Sequence, residues 1–156
     1  MSMNKQNKYR IYKKFVKINM WKVRCRMKNS NWIIGEESFL FKKEFKTEDR
    51  IVSAKLSITA MGVYEAVLNN ERVGEFVLAP GFTSYSMRHL YQEYDITNLL
   101  KKENELLVYV GKGWYSGQLT WDDFRRNVYG DKCGIIAKIE IKYVDRAEII
   151  YTDKSW

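Results

Sequence analysis

Apolar and polar residues alternate with a period of two along much of this chain, the spacing that sends successive side chains to opposite faces of a β-strand. Val52, Ala54, Leu56, Ile58 and Ala60 take one face of such a strand, and Ser53, Lys55, Ser57 and Thr59 the other. Later, Ala137, Ile139, Ile141 and Tyr143 oppose Lys138, Glu140 and Lys142, with a further short strand expected over 148–151. Phe39, Phe41, Lys43 and Phe45 repeat the pattern. Between 19 and 29, Trp21, Val23, Cys25 and Met27 face away from Lys22, Arg24, Arg26 and Lys28, as in an edge strand guarded by lysines or a basic docking strip.

Turn formers separate these runs. VYEAVLNNERVGEFVLAP reads as two short strands around Asn69 and Asn70, residues that tolerate the positive φ of a hairpin turn. Pro80-Gly81 predicts a turn with proline at the first central position and glycine at the second. One brief helical turn is expected between Asp95 or Thr97 and Leu100, before a strand over 105–110. Some eight short strands with almost no helix predict an all-β, jelly-roll-like β-sandwich. Neither a repeat nor a low-complexity linker divides it. The expected organisation is a basic, partly disordered tail over 1–18 and one domain over 19–156.

Length and composition agree with a globular domain: 156 residues, 46% of them apolar and 15% aromatic. The net charge of +8 raises nucleic acid as a partner, but ten of the 27 basic residues lie in 1–30, which holds no Asp or Glu. The remaining 17 basic residues face 19 acidic ones, so the body is nearly neutral and a nucleic-acid role rests on the N-terminal stretch alone. Lysines and arginines interrupt every apolar run there that would form a signal-peptide core, and no run approaches membrane-spanning length. The expected location is cytoplasmic, with Cys25 and Cys133 as free thiols.

The segment GWYSGQLTWDDFRRNVYGDK, residues 113–132, gathers aromatic rings, carboxylates, arginines and glycines on one crossing between strands. Glycoside hydrolysis needs two carboxyl groups flanking the scissile bond. Asp122 and Asp123 are adjacent, so their side chains diverge in an extended segment, which argues against independent catalysis. The single histidine, His89, sits at the expected start of a strand with no G-x-S-x-G elbow or cysteine nearby, and reads as a surface or half-buried residue. Gly111, Gly113 and Gly117 follow a strand with no helix expected after them, so they form no phosphate cradle; they let the backbone bend so that Trp114 and Tyr115 lie against the sheet. Tyr85, Arg88, Tyr91 and Tyr94 form a second aromatic and basic group, read as packing plus surface charge.

Two uses of the 113–132 crossing stay open on its residues. Asp122, Asp123, Asn127 and Asp131 offer oxygens that a hard cation such as calcium takes, while Trp114 or Trp121 offers a face for a sugar and Arg125 a charged donor. Alternatively, Asp122 and Asp131 pair with Arg125 and Arg126, and the aromatics are core.

SAKLSITAMGVYEAVLNNERVGEFVLAPGFTSYSMRHLYQEYDITNLL, then GKGWYSG, then RRNVYGDK, resembles the N-terminal β-sandwich domain of bacterial α-L-rhamnosidases. The likeness runs from about Asn31 to the TDKSW at 152–156. It departs at Asn70, where glycine is usual, at Phe82, where tryptophan is frequent, and at Lys112, where aspartate is common. The resemblance implies a galactose-binding-domain-like sandwich. It also implies a catalytic domain beyond this chain that supplies the acid and base carboxylates, and, as in some members, a lectin-like module that binds rhamnose with calcium; in others the sandwich buttresses the catalytic domain.

Overall fold

The computed structural model describes residues 29–35, 39–121 and 125–156. The elements, in chain order, are β1 (Ile33–Ile34), β2 (Phe39–Lys46), β3 (Ile51–Met61), β4 (Val63–Leu68), β5 (Glu71–Arg72), β6 (Gln92–Asp95), a 3-10 turn (Thr97–Leu99), β7 (Glu103–Gly111), α1 (Gly113–Ser116), β8 (Gly134–Tyr143) and β9 (Ala147–Tyr151). Every strand pairing is antiparallel. One sheet has the order β1-β8-β3-β6, with β9 also on β8; the other has the order β2-β7-β4-β5. The result is the expected all-β sandwich with one 3-10 turn, to which α1 adds a single turn of helix. The alternating segment between 19 and 29 and Cys25 lie almost wholly outside the described residues. Among the described residues no helix is long and apolar enough to cross a membrane.

Burying one face of each sheet against the other builds the main core. Leu56, Ile58, Ile139 and Ile141 come from the five-stranded sheet, and Phe41, Leu68, Leu106 and Val108 from the four-stranded one. Aliphatic burial of this kind is the dominant favourable contribution to folding. The alternation holds with two exceptions. Val52 is 60% exposed because the register shifts between Ile51 and Ser53; the irregularity turns Val52 outward and leaves Ile51 packed against the core. Lys138, Ser57 and Thr59, expected on a solvated face, are buried, so the centres of β3 and β8 are covered on both faces. Their polar groups are matched: Lys138 pairs with Glu140 at 2.9 Å, the Ser57 hydroxyl donates to Glu93 at 3.2 Å, and that of Thr59 donates to the Leu90 carbonyl.

The hairpin turn is as read, with Asn69 and Asn70 at φ 55 and 68. Asn69 also serves a buried polar network: its amide donates to the Leu99 carbonyl at 2.7 Å and to Asn104 Oδ1 at 2.9 Å, and its carbonyl accepts from Glu105 N–H at 3.0 Å. The strand after the turn is shorter than expected. β5 ends at Arg72, Gly74 takes φ 72, and the chain rejoins the sheet only where Ala79 bridges Tyr64. The proline turn lies one residue earlier than its sequence implies. Gly81 N–H donates to the Leu78 carbonyl at 2.9 Å across a cis Ala79-Pro80 bond, which places proline at the second central position. The 3-10 turn starts at Thr97, one of the two expected positions, and Asp95 at the end of β6 accepts from Thr97 N–H at 2.9 Å.

Candidate functional site

The 113–132 crossing has two parts with different environments. Its base opens with α1, contrary to the expectation that no helix follows the glycines; Ser116 N–H donates to Lys112 O at 3.2 Å and Gly117 N–H to Gly113 O at 3.1 Å. Gly113, at φ 49, lets the chain turn tightly past β4: a Cβ there would lie 2.6 Å from Val63 Cγ1. A turn of four residues is too short to present a phosphate cradle.

This base holds a second core. Met61, Tyr85 and Tyr115 are buried together, and Trp32, Trp114 and Tyr129 pack against them. Tyr85 meets Tyr129 and Tyr115 edge-on, with ring centroids 5.0 and 5.3 Å apart, and Trp114 meets Phe82 at 6.2 Å. Gly130 leaves the space that Tyr115 fills, since a Cβ there would stand 2.6 Å from the ring. Burial pushes the Tyr115 phenol above the ordinary tyrosine range, with the nearby charge of Asp131 adding to the shift. Burial also pushes up the Cys133 thiol, which lies 3.5 Å from the Ser116 hydroxyl.

His89 belongs to this second core and not to the start of a strand, since β6 begins three residues later. Its ring lies 5.3 Å from Trp32, 5.7 Å from Tyr85 and 6.2 Å from Tyr115, and its Nδ1 is buried with no hydrogen-bond partner. Burial lowers its pKa from the ordinary imidazole value. The group expected from Tyr85, Arg88, Tyr91 and Tyr94 divides in the fold. Tyr85 joins the second core, Arg88 is exposed with its Nε donating to Thr83 at 3.2 Å, and Tyr94 places its hydroxyl 3.3 Å from that of Tyr64 beside the main core.

Beyond the base, the chain makes a small hairpin. Gln118 and Arg126 form an antiparallel bridge, Leu119 N–H donates to Arg125 O at 3.0 Å, and Arg126 Nη2 donates to Gln118 Oε1 at 3.0 Å. Trp121 near its tip is fully exposed, and Arg125 and Asn127 are exposed on the returning strand, Asn127 with φ 55. Asp131 is exposed past the hairpin's end. Of the expected carbohydrate-binding residues, Trp121 and Arg125 therefore lie on this hairpin, Asn127 follows its closing bridge, and Trp114 packs against the second core at its base. Asp122 and Asp123 lie outside the described residues. Asn127 and Asp131 carry the oxygen donors that calcium prefers, but among the described residues no three His, Cys, Asp or Glu side chains converge. Sequence reasoning missed Trp32, His89 and Tyr129 as one cluster, because segments distant in the chain supply them.

The four-stranded sheet has a distinct outer surface, along which Leu40, Tyr109, Val77 and Leu78 line an open groove of about 520 Å³.

Comparison with known proteins places this architecture. Residues 49–156 match the model of the alpha-L-rhamnosidase N-terminal domain. The alpha-L-rhamnosidase of Streptomyces avermitilis is 40% identical over 116 residues, which are 72% of this chain and 11% of that protein. Among solved structures, the native rhamnosidase of Aspergillus terreus superposes with a TM-score of 0.74 at 46% identity, over 77% of this chain and 14% of that one. The Streptomyces avermitilis enzyme, solved in complex with L-rhamnose, gives 0.72 at 36% identity, over 80% of this chain and 12% of that one. The chain thus spans 11–14% of the length of its curated relatives. Fold, matched segment and relatives agree, and the chain belongs to the α-L-rhamnosidase N-terminal domain family.

Proposed function

We infer that this domain is the non-catalytic, carbohydrate-associated module of an α-L-rhamnosidase, which takes L-rhamnose at the 118–126 hairpin with the help of calcium and supports a catalytic domain. The observation that carries the sugar site is Trp121. A tryptophan is costly to leave wholly in water, and here it is held on a hairpin closed by its own backbone, with Arg125 and Asn127 exposed on the return of the chain. An indole face suits the apolar side of a deoxysugar, and the guanidinium and amide suit its hydroxyls. Asp122, Asp123, Asn127 and Asp131 would hold the calcium ion, which supplies a further point of attachment for sugar hydroxyls.

Calorimetric titration of the purified chain with L-rhamnose, in calcium and again in chelator, tests this reading. Saturable heat that needs calcium and disappears in Trp121→Ala is the expected result; a flat trace in both buffers overturns the sugar site.

A second reading, a purely structural interdomain sandwich, is favoured by the packing of Trp114, Tyr115 and Tyr129 into the second core. Under it, Trp121→Ala changes no binding. A nucleic-acid role rests on the basic stretch over 1–30, and duplex binding that weakens steeply with salt would be its signature.

A further inference from the structure

The two outer faces of the sandwich are finished differently. On the five-stranded sheet, the centres of β3 and β8 are buried, and the 79–91 and 112–133 segments contribute the second core beside Met61. On the four-stranded sheet, Leu40 and Tyr109 are cross-strand neighbours and both are exposed. Beside them run Phe76, Val77 and Leu78, three consecutive exposed apolar residues, Val77 at 67%, brought to the sheet by the Ala79–Tyr64 bridge. Single exposed apolar residues are ordinary, but a contiguous set lining one groove marks a surface that something covers.

The chemistry of the groove selects the occupant. Its flanking charges are already matched within the sheet: Arg72 Nε lies 3.4 Å from Glu65, and Lys42 lies 2.8 Å from Glu44 and 2.5 Å from Glu105. Among the groove's lining residues the only charges, Glu65 and Arg72, are therefore paired with each other. A saccharide needs convergent polar groups and stacking faces, but Leu40, Val63, Val77, Leu78 and Val110 make much of the lining aliphatic, and Tyr109 is the one exposed aromatic ring among the lining residues. A neutral apolar protein surface fits. The relatives of this domain are about six to seven times the length of this chain, so in them it is one part of a much larger polypeptide.

We propose that the outer face of β2, β7 and β4, centred on Leu40, Tyr109, Val77 and Leu78, docks on an uncharged apolar surface of the remaining rhamnosidase polypeptide. The proposal rests on the supporting role given above. Its test compares Leu78→Glu with Tyr109→Glu in this chain and at the aligned positions of the intact Streptomyces avermitilis enzyme. Both side chains are exposed here, so this chain should keep its melting temperature and β-sheet circular dichroism. In the intact enzyme, the pair should lower the melting temperature by about 5 °C or more, or split one calorimetric transition into two. An intact enzyme that melts unchanged, with its N-terminal segment still coupled to the rest, overturns the face and leaves the supporting role standing. If the unsubstituted enzyme already melts its N-terminal segment separately, the supporting role fails and this inference with it. Sedimentation of this chain should show a monomer; a dimer abolished by Leu78→Glu would assign the face to a second copy and overturn the proposal.

Discussion

The intersheet core and the aromatic core at the base of the 113–132 crossing are built on opposite plans, the first fully buried at its centre and the second partly exposed at Trp32, His89, Trp114 and Tyr129. The first is aliphatic and regular: Leu56, Ile58, Val108 and Ile139 are fully buried at alternate positions of long paired strands, whose backbone bonds hold each residue in register. The second is aromatic and irregular. Trp32, Tyr85, His89, Tyr115 and Tyr129 come from separated segments, and few backbone bonds join them, among them Tyr129 N–H to Tyr115 O at 3.4 Å. The first core should therefore set global stability, and the second should set the order of the loops that carry the candidate site.

Truncation of Leu56 gives the widest separation between the two. Leu56→Ala opens a cavity between the sheets at a position with no exposure and should cost about 2–5 kcal/mol. Urea denaturation should show one transition at a lower midpoint, with tryptophan fluorescence and far-ultraviolet circular dichroism moving together. Two separated transitions would mean that the cores are not subordinate in this way.

Gly130→Ala acts on the other side of the comparison with a smaller effect. The new methyl group meets Tyr115 at 2.6 Å, and the ring must shift. The expected cost is about 1–3 kcal/mol, with near-ultraviolet dichroism from the tyrosines reduced and the β-sheet signal kept. A loss of sheet signal as large as that of Leu56→Ala would erase the distinction between the cores.

The same contrast explains what could be read from the sequence. Alternation over 52–60 and 137–143 located β3 and β8 because paired strands impose a strict period, and Asn69-Asn70 located the hairpin because few residues accept its dihedral angles. The bulge that exposes Val52 left no mark, since the residue pattern continues unbroken through it. The proline turn was misplaced by one residue, because the usual frame for proline assumes a trans bond and Ala79-Pro80 is cis. Lys138 looked solvated because a period of two reveals one buried face and cannot show that the other is covered as well. In the 113–132 crossing the residue types were informative but not their division: composition alone could not separate Tyr115, which packs, from Trp121, which stands in water.

The finest distinction between the cores is in their response to acid, since only the second contains a histidine. Its Nδ1 is buried without a partner, and Trp32, Tyr85 and Tyr115 surround the ring; the phenols are neutral throughout the acid range. Burial lowers the pKa of His89 in the folded protein below the unfolded value of about 6.5, so the folded state favours the neutral ring. The sign follows from linkage: the contribution is fully present above about pH 6.5 and is lost as pH falls from there through the lowered folded value, because the unfolded chain takes up the proton first. His89 is the sole histidine of the chain, so its imidazole resonances are unique and give the folded pKa directly by NMR titration. His89→Phe should flatten the stability profile just below pH 6.5 and leave the deeper acid loss, which arises from carboxylates such as Asp95 and Glu103 whose hydrogen bonds lower their pKa values. A folded His89 pKa at or above 6.5 would mean that the ring is stabilised as a cation by its aromatic neighbours, and the second core would then tighten in mild acid.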